Sequence, residues 1–155
     1  MTNQVVEPHK SSIAGLDANI AALLTYVASV VVGWIPVIRY FAWLVPLFLF
    51  FMEKESKFVK FHAMQSFVLH LVSAVLSFVV SVVLGGIVNA AMVNSYAAYV
   101  TVGFARIIGF LTTIIALVIL VFAVIAMIKA FSYKEYYIPL VGTIAVKFAS
   151  NFGHR

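Results

Sequence analysis

The stretch Glu53–His70, EKESKFVKFHAMQSFVLH, decides how this chain is read. It gathers Glu53, Lys54, Glu55, Lys57 and Lys60 with His62 and His70, then continues without Pro or Gly into an apolar segment. No further charge appears until Arg106. Such a knot marks a reaction centre, a metal site, or the point where a helix enters a membrane. Its surroundings favour the membrane.

Hydrophobic residues make up 65% of the 155 positions and charged residues 10%, with mean hydropathy +1.13. Soluble domains sit near half apolar and about a quarter charged, so a water-soluble fold is excluded on composition. The length suits one domain. The absence of Cys removes disulfides and thiolate chemistry. Residues 1–17 carry Glu7, Pro8, Lys10 and Asp17 rather than a basic leader. The apolar run after them exceeds a signal-peptide core and reads as a retained membrane segment.

Four apolar blocks follow. Ala18–Ile35 would be a helix of about 27 Å, ended by Gly33 and Pro36, with Arg39 beyond. Tyr40–Met52 would reach about 20 Å, short of a hydrocarbon core of about 30 Å. Residues 18–52 therefore form a hairpin, either of two spans or re-entrant. Phe67–Asn89 and Ile107–Ile128 are long enough to span outright. The uncharged Ala90–Ala105, with Tyr96 and Tyr99, is expected as an interfacial loop.

Lysine and arginine placement orients this arrangement. Lys10, Lys54, Lys57, Lys60, Lys129, Lys134, Lys147 and Arg155 share one face; Arg39 and Arg106 fall opposite. The positive-inside rule makes the first face, with both termini, cytoplasmic. The expected architecture is an all-α integral membrane four-helix bundle with a C-terminal amphipathic interfacial helix. Its parts are a cytoplasmic segment 1–17, a four-segment transmembrane domain 18–131 and a cytoplasmic tail 132–155. The compartment is a bacterial or archaeal cytoplasmic (inner) membrane.

Lys54, Lys57 and Lys60 cluster at the mouth of the third helix, where their stems lie on apolar surface and their ammonium groups reach anionic headgroups. Lys134 and Lys147 flank the tail in the same way. A specific acidic partner is the alternative occupant. The third helix also carries a polar stripe: His62, Ser66, His70, Ser73, Ser77 and Ser81 at spacings of 4, 4, 3, 4 and 4, continued by Gly85 and Asn89. In lipid, small and hydroxyl residues mark close helix packing. The first helix offers a matching face at Ala18, Ala22, Thr25, Ser29 and Gly33. Helix packing is one reading of the stripe; a hydrated path, with His62 and His70 titrating, is the other.

Other chemistries find little support. His62 and His70 stand roughly 12 Å apart along a helix, too far to share a metal ion, and no ligand motif joins them. Ser66 and His70 form a chance-prone pair, and the acids Asp17, Glu53, Glu55 and Glu135 lie at membrane boundaries. No catalytic residue, metal or cofactor is expected. Basic residues beside spans do not indicate nucleic-acid binding.

Aligning Ile20–Ile35 with Val72–Ile87 gives eight identities in sixteen positions, including Ser29-Val-Val-Val-Gly33 against Ser81-Val-Val-Leu-Gly85. Two parallel hairpins would produce this, although apolar sequences also match one another cheaply. In the tail, Phe131, Tyr133, Tyr136 and Tyr137 suit the headgroup belt. Pro139 is placed to start a helix bearing Leu140, Val141, Ile144, Ala145, Phe148 and Phe152 on one face. That helix is expected on the cytoplasmic surface, as an anchor or as a protein-docking element.

The blocks MEKESKFVKFHAMQS (Met52–Ser66) and YKEYYIPLVGTIAVK (Tyr133–Lys147), with LDANIAALLTYV (Leu16–Val27), together resemble a widespread prokaryotic family of small membrane proteins of unknown function. That family is distantly related to the four-span chloroplast inner-envelope protein-import subunit. Lys60 stands where the motif usually has Arg, which keeps charge but loses bidentate pairing. The resemblance implies a four-helix membrane domain without known catalysis. The leading expectation is a non-enzymatic membrane protein acting as an oligomer or complex subunit. The alternative is a channel- or translocon-like conduit lined by the polar stripe.

Overall fold

The computed structural model describes residues 4–91 and 95–152. Five α-helices follow in order: α1 (Ala18–Gly33), α2 (Val45–Met52), α3 (Lys57–Ala91), α4 (Ser95–Phe131) and α5 (Val141–Phe152), with a 3₁₀ helix, Ile38–Leu44, leading into α2. Among the described residues there is no strand, only the isolated antiparallel bridges Val5–Lys134 and Lys10–Asp17.

Among the described residues, two helices are long and apolar enough to cross a membrane, α3 with 35 residues and α4 with 37. At about 1.5 Å per residue they reach roughly 52 and 56 Å. The other two apolar helices are shorter: α1 has 16 residues and α2 only 8, about 24 and 12 Å. The sequence explains this. After Gly33 the chain closes with 3₁₀-type bonds, Trp34 N–H to the Val31 carbonyl and Ile35 N–H to Val32, and Pro36 forbids continuation. Pro46, at the start of α2, fixes where that helix begins.

Two expectations are corrected. Of Ala90–Ala105, expected as an interfacial loop, residues 90–91 belong to α3 and 95–105 to α4; residues 92–94 lie outside the described residues. No Pro lies between Pro46 and Pro139 to break these helices, and glycine alone costs a helix only about 1 kcal/mol. The tail helix starts at Val141 rather than Pro139, because Leu140 takes a left-handed φ of 66°.

The chain divides into two units, one comprising Met1–Leu71 with Phe122–Arg155 and the other Val72–Val121. The second consists of α3 and α4 segments whose side chains are mostly exposed Val, Ile, Leu and Phe. The first holds the buried core. The small face of α1 is spent there: Ala18, Ala21 and Ala22 pack with Phe58 and Val59 of α3, Ala130 of α4 and Ile13. A second cluster joins Phe50 of α2, Ala63, Met64 and Val68 of α3 and Ala145 of α5. Thus α5 is docked along one edge, with Leu140 and Ile144 left exposed.

Candidate functional site

Two buried polar knots sit in the first unit, both growing from the Glu53–His70 block. The first forms where α2 ends and α3 begins. Ser56 caps α3 by accepting the Val59 N–H at 3.1 Å. Glu53, only 1% exposed, accepts from the Ser56 and Glu55 N–H groups at 2.9 and 3.0 Å. It also accepts from the Ser12 hydroxyl at 2.7 Å, the Ser12 N–H at 3.2 Å and the Ser11 hydroxyl. Burial pushes its carboxyl up, but these hydrogen bonds outweigh that and hold it down at about 2. His9 completes the corner, its Nε2 2.7 Å from the Ser56 hydroxyl and its Nδ1 2.8 Å from the Glu7 carbonyl. An Nδ1–H tautomer satisfies both contacts.

The second knot lies one to three turns along α3. The Gln65 amide donates to the Tyr26 hydroxyl at 3.1 Å and to the Tyr136 carbonyl at 3.0 Å, while its oxygen accepts from the Ile138 N–H at 3.2 Å. The Tyr26 hydroxyl is 3.2 Å from Nδ1 of His62, which is fully buried between the rings of Phe58 and Phe61. Tyr26 thus accepts from Gln65 and donates to His62. Nε2 of His62 makes no hydrogen bond of ordinary geometry, although the Lys134 backbone interacts with the ring. The Ser66 hydroxyl donates to the Thr25 carbonyl at 2.7 Å, and Nδ1 of His70 lies 2.8 Å from the Ser66 carbonyl.

The 133–142 connection closes over this knot. α4 ends with Lys134 N–H bonded to the Lys129 carbonyl and Tyr133 N–H to Ala130, with Tyr133 in the left-handed region at φ 53°. This is a Schellman closure that usually recruits glycine; here the Tyr133 ring stacks on Phe58, centroids 5.9 Å apart. At Gly142 an added Cβ would lie 3.0 Å from Cα of Tyr137 and 3.2 Å from the Gln65 oxygen, so close approach requires glycine.

The expected site residues therefore separate. His62 and Ser66 are buried in the second knot, His70 and Ser73 are half-buried, and Ser77, Ser81 and Asn89 are exposed within the second unit. Lys54, Lys57, Lys134 and Lys147 are exposed, and Lys60 sits 6.0 Å over the Phe50 ring. Sequence reasoning missed Gln65, Tyr26 and the Glu53–Ser11–Ser12 contacts. Gln65 had a local signal, a lone amide one turn after His62 in an apolar helix. The Glu53 partners lie about 40 residues away in sequence and left none.

A family model described as the magnetosome magnetite crystal formation protein family matches residues 17–145, from the residue before α1 into α5. The chain belongs to that family. It is also similar to two UPF0132 membrane proteins of the archaeon Methanocaldococcus jannaschii. One is 27% identical over 139 residues, covering 89% of this chain and 74% of the relative. The other is 28% identical over 135 residues, covering 87% and 91%. No solved structure matches the chain. These likenesses agree with the expectation of a prokaryotic membrane protein family. The family's description concerns magnetite, but among the described residues no three His, Cys, Asp or Glu side chains come together to hold a metal ion.

Proposed function

We propose that this member of the family is a non-enzymatic, multi-pass inner-membrane protein that acts by helix packing, as an oligomer or as a subunit of a membrane complex. The observation that carries this reading is Gln65. Each polar atom of its amide is bonded to another segment of the first unit, so the polar chemistry inside that unit positions helices. α3 and α4 cross the bilayer, and the shorter α1 and α2 form a hairpin that either spans or re-enters. Both termini and the lysine-rich mouth of α3 face the cytoplasm, with Lys54, Lys57, Lys60, Lys134 and Lys147 against anionic headgroups.

A second reading is a conduit along α3. The exposed Ser77, Ser81 and Asn89 favour it. The complete bonding of Ser66 and Gln65 favours packing instead. Mass measurement in detergent and flux from reconstituted vesicles separate the two. The packing reading expects a discrete oligomer, or co-purifying membrane proteins, with ion flux no greater than from empty vesicles. Flux that His70→Leu abolishes in a folded protein would establish the conduit.

A further inference from the structure

Residues 4–13 form a strap along the first unit. Gln4 and Val6 pair with the α4–α5 connection, the Val6 N–H donating to the Tyr133 carbonyl and the Glu135 N–H to Gln4, both at 2.9 Å. His9 rests its ring edge-on to Phe58 and bonds Ser56. Ser11 and Ser12 donate to Glu53, and Ile13 enters the core. The chain then reverses at Ala14 and Gly15, both at positive φ, 52° and 66°. Ser11 N–H bonds the Leu16 carbonyl at 2.8 Å across this turn. The family match begins at Asp17, so strap and turn lie outside the shared region while their receiving site lies within it.

We propose that the strap exchanges between copies: residues 4–13 of one chain fill the Glu53 site of a neighbour, with Ala14–Gly15 as the hinge. This rests on the oligomer reading above and names the contact that links its protomers. Ala14 carries a Cβ in a backbone region that L-residues avoid, and short hinges under strain favour swapping. Extending the hinge relieves that strain, and every strap contact is remade in trans.

The chain has no Cys, so introduced thiols report alone. Val5 and Lys134 are opposed across the bridge in its non-hydrogen-bonded arrangement, for which Cα atoms sit about 4.5 Å apart, within disulfide reach. Both side chains are exposed. Full-length Val5→Cys and Lys134→Cys chains, separately tagged, are co-reconstituted and oxidised, with Val5→Cys plus Thr143→Cys as the control pair. Exchange predicts a Val5–Lys134 heterodimer well above control. Ala14→Gly should lower its yield roughly fivefold by easing the turn, and Ala14→Pro should raise it because proline forbids that φ. A double-cysteine chain that closes only on itself, with mixed single mutants at control level, overturns exchange. If lysine-reactive cross-linking still gives oligomers in that case, the oligomer reading stands without it; if only monomers appear, both fail.

Discussion

The side-chain amide of Gln65 lies 3.1 Å from the Tyr26 hydroxyl and 3.0 Å from the Tyr136 carbonyl, so one residue of α3 holds both α1 and the segment leading to α5. Replacing it with Leu would leave the Tyr136 carbonyl and the Ile138 N–H without this partner inside the fold. Each unsatisfied buried group costs about 1–3 kcal/mol. Gln65→Leu should therefore destabilise the protein by about 3 kcal/mol, read as a lowered thermal midpoint in detergent. A neutral result would remove Gln65 from its central place.

Gly142 tests the same junction sterically. A Cβ added there would meet backbone, Cα of Tyr137 at 3.0 Å, which has little room to give. Gly142→Ala should cost about 1–3 kcal/mol through overpacking and speed amide exchange across α5. The comparison is Gly109→Ala in α4, where nothing lies within 4 Å. There, helix propensity favours alanine by about 1 kcal/mol, so stability should hold or rise.

Glu53 predicts an acid limb. Its folded carboxyl titrates at about 2, below an ordinary value of 4.5. A depressed carboxyl contributes stability above its unfolded value and loses it as pH falls through its folded one. Stability should thus decline between about pH 5 and pH 2. Glu53→Gln should cost about 1–3 kcal/mol at neutral pH and flatten that limb, measured by thermal melts across the range.

Ser66 offers a smaller, cleaner test. Its hydroxyl donates to the Thr25 carbonyl from a fully buried position, joining α3 to α1. Ser66→Ala should cost about 1 kcal/mol and leave oligomeric mass unchanged. A loss of assembly with full thermal stability would instead place Ser66 at a contact between copies.

Much of this fold was legible because the governing signals are local. Pro36 and Pro46 cut the first hairpin into short pieces, and the unbroken apolar runs produced α3 and α4. The face Ala18, Ala22, Thr25 and Ser29 announced the packing side of α1, and all four are buried. What escaped depends on distant partners. Nothing near Glu53 says that Ser11 and Ser12 will surround it, so a buried carboxylate looked like a boundary charge. Hydropathy also drew the boundary between α3 and α4 too broadly, since uncharged residues such as Val100 and Ala105, both within α4, suit a helix as well as an interface. The stripe was visible as a pattern, but only three-dimensional contacts divide its buried His62 and Ser66 from its exposed Ser77 and Ser81.

The arrangement in the bilayer is tested most directly by side-specific thiol labelling. Lys57→Cys, Lys134→Cys and Tyr99→Cys are introduced singly into this cysteine-free chain, and an impermeant maleimide is applied to right-side-out and inverted membrane vesicles. Positions 57 and 134 should label only from the cytoplasmic side and position 99 only from the other. Labelling of 57 and 134 from opposite sides, or of 99 from the same side as 57, would contradict it.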